Sequence, residues 1–338
     1  MVEVLITGGA GFIGSNFIRY ALDAHPDWRI TTVDKLTYAG RLETLHDLLD
    51  HPRHKFVRAD VCDEHAVGPL VKRAGLVVHF AAETHVDRSL VSAEPFIQTD
   101  IVGTYVMLEA ARKAEALWRF IHVSTDEVYG SVEEGASRED DELRPRNPYS
   151  ACKAAADRLA YSYFATFGLP IVIARPSNNY GPYQFPEKVI PLFTTNAIDG
   201  LTLPLYGDGQ QMRDWLHVRD NCRAIDLLIA KGQNGEAYNI GGGNEVRNID
   251  LTRRILRLLD RPDALIEHVT DRIGHDRRYC LDSSKIRTLG WSPTVPFEDG
   301  LRATVEWYRN NEWWWRPIKE SDPAYRAYYQ SRYGAGAE

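Results

Sequence analysis

Cysteine is scarce in this chain. Its four cysteines, Cys62, Cys152, Cys222 and Cys280, lie far apart and form no C-x-x-C pair. That excludes a disulfide framework and a zinc ribbon, and predicts free thiols in a reducing cytoplasm. The eleven histidines include no H-E-x-x-H run, so no metal site is expected. Excess positive charge is missing too. Forty basic residues against 47 acidic ones leave a formal net charge of −7, which argues against a nucleic-acid or anionic-membrane binder. No apolar run reaches the length of a membrane span. The N-terminus opens at once on a strand-like segment, without the charged start and apolar core of a signal peptide. No internal repeat stands out. What remains is ordinary for a soluble globular protein, 44 % apolar and 26 % charged, with chain enough for one large domain or two ordinary ones.

Val2 to Thr7 is a short β-branched run, followed at once by Gly8-Gly9-Ala10-Gly11-Phe12-Ile13-Gly14. Ile13, Phe17, Ile18 and Leu22 then recur at helical spacing. A glycine cluster alone marks a plain turn. Between a strand and a helix it predicts a dinucleotide site, with the pyrophosphate on backbone N–H groups at the helix start. The second strand, Ile30 to Val33, ends at Asp34, twenty positions after Gly14. A carboxylate there accepts from an adenosine ribose and repels a 2′-phosphate, so NAD is expected over NADP. The bland alternative is an Asp capping a loop, and the neighbouring Lys35 argues weakly for NADP.

The alternation continues. Lys55 to Arg58 is a short strand leading to Asp60-Val61, a pair placed to hold adenine. Leu76 to Phe80 reads as an apolar strand of a parallel sheet covered on both faces. It runs into Ala81-Ala82-Glu83-Thr84-His85-Val86-Asp87, whose small residues let backbone lie close to a ligand. His85 is either catalytic or a hydrogen-bonded structural histidine. A helix follows, with Ile97, Ile101, Tyr105, Leu108 and Ala111 on one face, then a strand over 120–123. Repeated β-α units predict a doubly wound parallel sheet of Rossmann type, with its ligand at the carboxyl ends of the strands. Glu133 to Arg146 reads as an exposed loop. A helix then runs from Tyr149 toward Gly168, and Ile171 to Arg175 is another strand. After Pro176 the alternation stops and proline, glycine and aromatics crowd the chain. Val218 to Lys231 reads as helix and Ala237 to Ile240 as strand; 250–260 and 299–310 are amphipathic helices. The expected division is a dinucleotide domain over 1–175, returning at 215–242. A smaller C-terminal α+β substrate lobe takes 176–214 and 243–330, and a frayed tail 331–338.

The chemistry gathers between Ser124 and Lys153. Ser124-Thr125-Asp126-Glu127-Val128-Tyr129-Gly130 follows the strand Phe120-Ile121-His122-Val123 directly. Tyr149 and Lys153 stand four apart and share a helix face. An ammonium beside a phenol lowers its pKa, and the phenol then takes a proton from an alcohol as hydride leaves. Alone, Y-x-x-x-K is a common surface pattern; one β-α unit after the Thr125 hydroxyl it is a candidate site. Asp126 and Glu127 go beyond simple alcohol oxidation, which needs no carboxylate pair. Two adjacent carboxyls in unlike surroundings have separated pKa values, one an acid and the other a base. A solvated turn is the bland alternative; the strand-end position favours the site.

With these residues the chain resembles the extended short-chain dehydrogenase/reductase superfamily and, within it, the dTDP-glucose 4,6-dehydratases. The resemblance runs essentially full length. Beside the glycine turn it rests on Asp34 to Gly40, Ala81 to Ser89 and Ser124 to Gly130. Further on it rests on Ser177 to Tyr183, Phe185 to Lys188, Arg213-Asp214-Trp215, Gly274 to Tyr279 and Asn311 to Trp315. Cys152 and Thr84 stand where that family usually has Ser, and Ile273 where Pro is typical. The resemblance implies that Tyr149, helped by Thr125, removes the proton of the sugar 4-hydroxyl as NAD takes hydride. Glu127 then abstracts the proton on carbon 5, Asp126 protonates the departing 6-hydroxyl, and hydride returns to carbon 6. It adds Lys35, Leu36, Thr37, Phe80, Thr84, Thr99 and Asn179 to the cofactor residues. Thr84, Thr125, Asn178, Lys188, Val189, Pro204, Leu205 and Tyr206 would line the sugar-nucleotide site. Arg213, Asn248, Asp271, Arg272, Gly274 and His275 complete it, the two arginines being suited to a diphosphate. A homodimer through a helix bundle is implied as well. The rivals are a UDP-glucose 4,6-dehydratase, a nucleotide-sugar 4-epimerase, which needs neither Asp126 nor Glu127, a uronate decarboxylase, and a non-catalytic NAD-binding regulator.

Overall fold

The computed structural model describes residues 1–333. In chain order the strands are β1 (Val2–Thr7), β2 (Trp28–Asp34), β3 (His54–Arg58), β4 (Leu76–His79), β5 (Arg119–Val123) and β6 (Ile171–Pro176). Then come β7 (Asn178–Tyr180), β8 (Leu203–Tyr206), β9 (Met212–His217), β10 (Ala237–Ile240), β11 (Glu245–Arg247) and β12 (Ile266–Val269). The large sheet has the order β10-β6-β5-β4-β1-β2-β3, every pair in it parallel. Strand order reverses between β1 and β4, which opens a crevice at their carboxyl ends.

Helices cover both faces, and this is why the strands read as continuous apolar runs. On one face Val4, Ile6, Ile30, Val78 and Ile121 pack with Phe17 and Ile18 of the helix Phe12–Ala24 and with Ile225 of Val218–Lys231. On the other, Leu5, Val33, Val77 and Phe120 meet Val67, Val71 and Met107. Side chains buried this fully contribute about 1.5–3 kcal/mol each. The chain comes back to the large sheet through β10, which pairs with β6. Ile286 and Trp291, from the stretch assigned above to the smaller lobe, also pack into the large sheet's core.

That lobe holds β7, β9 and β11 in one small sheet and β8 with β12 in another. Its core joins Trp215, Leu205 and Val246 to the helices Val189–Asp199, Asn248–Leu258 and Phe297–Asn310. Three expectations change. The helix before β5 opens on a short α turn, Glu94–Phe96, continues as a π-helix over Ile97–Gly103 and is α-helical again over Thr104–Arg112. The i→i+5 turn rotates the face, so Ile97 and Tyr105 are about half exposed while Asp100 is buried. The loop 133–146 is not wholly exposed: Ser137 is buried, and Glu139 accepts a hydrogen bond from the Asn239 N–H. Of the tail expected to fray, 331–333 complete the helix Pro323–Tyr333, and 334–338 lie outside the described residues. Among the described residues no helix is long and apolar enough to cross a membrane.

Candidate active site

The crevice at the ends of β1 and β4 is a cavity of about 310 Å³. The glycine turn forms one wall because nothing larger fits. A Cβ on Gly14 would lie 2.4 Å from the Gly8 carbonyl oxygen, and one on Gly8, at φ +70°, would lie 2.7 Å from the Ala81 nitrogen. The helix that follows starts at Gly11 with no side-chain cap and no acidic residue in its first turn. Its free N–H groups face the cavity, a ready anion site. Asp34 closes β2, accepting from the Ala10 N–H at 3.0 Å and the Leu36 N–H at 2.8 Å. Lys35, at the same cavity, pairs with Asp60 at 2.6 Å, which offsets the charge that argued for a 2′-phosphate.

Every cofactor residue expected above lines this cavity except Leu36. Leu36 takes a left-handed conformation, φ 61°, and packs against the sheet's core. A β2 exit that must swing Asp34 toward the glycine turn sends the next-but-one side chain the other way. The sequence reading missed Tyr38, Glu83, Gln184 and Glu187, which line the same cavity. Tyr38 lay within a matched stretch and Glu187 within Phe185 to Lys188, so the signal existed. Nothing local said that their polar ends turn inward.

At the cavity's inner end lie Thr125, Asp126, Glu127, Tyr149 and Lys153 together. Thr125 caps a 3₁₀ turn, Asp126–Tyr129, by accepting from the Glu127 N–H, and Gly130 ends that turn at φ +76°. Asn147, in a capping box with Ser150, starts the helix Pro148–Phe167 that carries Tyr149 and Lys153. Asp126 is buried. One carboxyl oxygen accepts from the Thr125 hydroxyl at 3.2 Å and the other has no partner. Burial, then the nearby charges of Glu127 and Asp214, push its pKa well above the usual carboxylate range. A shift in that direction favours the protonated form, an acid able to give a proton. Lys153 differs from expectation. Its ammonium donates to the Val123 carbonyl at 2.7 Å, and burial lowers its pKa against the pull of Asp100 and Asp157. The Tyr149 phenol is not lowered either: burial, then Glu127 and Asp100, raise it.

A second cavity, about 150 Å³, adjoins the first; Glu127, Asn178, Lys188 and Val189 line both. Pro204, Leu205, Tyr206, Arg213, Asn248, Arg272 and His275 line its far wall. Arg213 lies over the Tyr279 ring at 4.4 Å and donates to the Asp276 carbonyl. Arg272 stands 3.4 Å from Asp87, with its Nε unpartnered. Burial, Arg272 and Arg213 drive the His275 pKa down to about 4. His85 lines this cavity too, its Nδ1 unpartnered and its pKa lowered by burial to about 4. Two guanidinium groups beside neutral imidazoles suit a diphosphate. Asp271 and Gly274, expected here, line neither cavity. Asp271 accepts from the His275 ring at 2.6 Å, and Gly274 makes a left-handed turn at φ +68°. Thr84 lines the first cavity only, its carbonyl accepting from Lys188 at 2.7 Å. Among the described residues no cluster of potential metal ligands occurs.

The family model described as GDP-mannose 4,6 dehydratase matches residues 5–304. The chain belongs to this family. A dTDP-glucose 4,6-dehydratase of Streptomyces niveus is 51 % identical over 328 residues, covering 96 % of this chain and 97 % of the relative. A dTDP-glucose 4,6-dehydratase of Streptomyces venezuelae, solved with NAD bound, is 48 % identical with a TM-score of 0.91, covering 94 % of this chain and 99 % of that one. A UDP-glucose 4-epimerase of Thermotoga maritima, 30 % identical over 91 % of this chain and 99 % of its own, reaches 0.85. The fold is therefore shared across different reactions, and the site must decide between them.

Proposed function

We propose that this chain is a dTDP-glucose 4,6-dehydratase, holding NAD and converting dTDP-glucose to dTDP-4-keto-6-deoxyglucose and water. One observation carries the reading. A buried acid, Asp126, with a raised pKa and an unpartnered oxygen, shares a cavity with Thr125, Glu127, Tyr149 and Lys153. A 4-epimerase needs no such acid.

The residues present fit NAD: a glycine cradle that a Cβ would fill, an uncapped helix start and the Asp34 carboxylate. When bound, NAD supplies the acceptor for hydride from carbon 4 and the donor of hydride to carbon 6. Tyr149 must act as the phenolate to take the proton of the 4-hydroxyl, against a pKa that burial raises; the positive nicotinamide of bound NAD would favour that form, and Thr125 orients the oxygen. Lys153, one turn along the helix, shares the face of Tyr149. The ketone so formed acidifies the proton on carbon 5, which Glu127 removes. Asp126 gives its proton to the leaving 6-hydroxyl and water departs; Glu127 then returns a proton to carbon 5 as carbon 6 would take back the hydride. Arg213 and Arg272 grip the diphosphate, with Asn178, Lys188 and Asn248 around it. His85 faces the nucleotide, not the reacting carbons.

The same reading places the enzyme in the cytoplasm as a homodimer. Tyr105, Tyr161 and Phe167, on the helices Thr104–Arg112 and Pro148–Phe167, are 43–51 % exposed, more apolar surface than a lone helix pair needs. Light scattering at micromolar protein tests the homodimer, a monomer mass removing it; cell fractionation tests the compartment.

The deciding assay incubates the protein, without added cofactor, with dTDP-glucose and with UDP-glucose and identifies each product by mass. The expected product has lost one water, shows the alkaline chromophore of a 4-keto sugar, and forms faster from the thymidine nucleotide. A product of unchanged mass would mean epimerisation and overturn the reading.

A further inference from the structure

β6 carries a charge where a strand covered on both faces has apolar side chains. Arg175 is 1 % exposed, between Ala174 and Pro176. Four of its five guanidinium N–H groups are engaged. Nε and Nη2 fork onto Asp157 at 2.9 and 3.0 Å, and Nη1 donates to the Tyr129 hydroxyl at 2.5 Å and to the Glu139 carbonyl at 3.1 Å. Both side-chain partners lie on elements that hold site residues. Asp157 belongs to the helix Pro148–Phe167, one turn beyond Lys153 and two beyond Tyr149. Tyr129 closes the 3₁₀ turn that opens with Asp126 and Glu127. The Tyr129 hydroxyl donates onward to Asn239 of β10 at 2.8 Å, and the Asn239 N–H donates to Glu139 at 2.8 Å. The turn is thereby fastened to the sheet from behind, while its acids face the cavity.

Stability alone gives a poor reason for this arrangement, because apolar side chains often replace a buried ion pair at no cost. A rigid planar fork offers something they do not: a fixed distance between a helix and a turn. We propose that Arg175 is a positioning residue that holds Tyr149 in register with the Asp126–Glu127 pair, so that one sugar meets both. This rests on the reaction proposed above. That reaction makes the helix and the turn act on adjacent carbons, the first taking a proton at the 4-hydroxyl and the second working at carbons 5 and 6. A register error between them leaves nucleotide binding intact and harms the chemistry.

Tyr129→Phe is the direct test, since it removes one hydroxyl and keeps the Arg175–Asp157 fork. Turnover of dTDP-glucose is expected to fall about ten- to a hundredfold with KM unchanged. The isotope effect from deuterium at carbon 5 should grow while that from deuterium at carbon 4 shrinks, because the turn is released and the Tyr149 helix is not. Full turnover, or slower turnover with both isotope effects unmoved, overturns the proposal and leaves Arg175 a structural residue. If Tyr129→Phe does not fold, Arg175→Lys, which keeps the charge but loses the fork to the Tyr149 helix, should lower turnover at unchanged KM and enlarge the isotope effect at carbon 4; unmoved turnover and isotope effects overturn the proposal. A wild-type enzyme that makes no 4-keto-6-deoxy sugar would instead defeat the reaction itself. A wild-type enzyme that makes it, beside an unaffected Tyr129→Phe, defeats only the positioning role.

Discussion

The Lys153 ammonium donates to the Val123 carbonyl across 2.7 Å, joining the helix of Tyr149 to the strand end that delivers Thr125. The bond is buried, and it leaves the lysine charge at the inner end of the cofactor cavity. Lys153→Met keeps the stem and removes both bond and charge. Turnover should drop by about two to four powers of ten, with less NAD retained through purification. A steady-state rate and a cofactor assay check this; unchanged turnover would place the charge outside the chemistry.

Asp126→Asn should cost about two to four powers of ten in turnover if general-acid help dominates. It also makes a stability prediction of defined sign. Burial raises the folded pKa of Asp126 above its unfolded value. Its contribution is therefore whole below the unfolded pKa of about 3.9 and is lost as pH rises through the folded one. Asparagine stays neutral throughout. Thermal melts should show the variant gaining on the wild type as pH rises; a constant difference would mean that Asp126 is not held protonated.

Glu127 and Tyr149 separate by step. Tyr149→Phe should abolish both oxidation and water loss. Glu127→Gln should permit oxidation at carbon 4 but fix the proton on carbon 5. In deuterium oxide the wild-type product should carry solvent deuterium at carbon 5, and Glu127→Gln should show none there. Full incorporation by that variant would remove Glu127 as the base.

Gly14→Ala tests the cradle. The new Cβ meets the Gly8 carbonyl at 2.4 Å, a backbone atom that cannot swing aside. A cost of about 1–3 kcal/mol in denaturant melts is expected, with protein purified free of cofactor. Normal cofactor content would show that the turn has slack.

Much of this was legible in the chain because parallel strands covered on both faces leave unbroken apolar runs, and because Asp34 must follow the glycine turn at a set distance. Thr125, Asp126 and Glu127 were legible for the same reason, since they sit where a strand ends. The π-helical turn was hidden. Nothing in residues 97–103 departs from a 3.6-residue pattern strongly enough to show that Asp100 faces inward and Ile97 outward. Asp271 was expected at the ligand, but it lines neither cavity and its carboxyl accepts from the His275 ring and from Gln211, a side-chain direction that no local pattern shows. The lowered phenol pKa was expected from Lys153 alone; burial of Tyr149, with Glu127 and Asp100 nearby, raises it instead, and burial is a property of the whole fold. Arg175 looked like the last residue of an apolar strand, and only the partners gathered around it give it a role.

The sharpest test follows one atom. dTDP-glucose carrying deuterium at carbon 4 is converted by the enzyme without added cofactor, and the product is analysed by mass and NMR. Hydride that leaves carbon 4 and returns within the same site must put the deuterium at carbon 6 of a 4-keto-6-deoxy sugar. Deuterium back at carbon 4 of an epimer, or lost to the medium, would contradict the account.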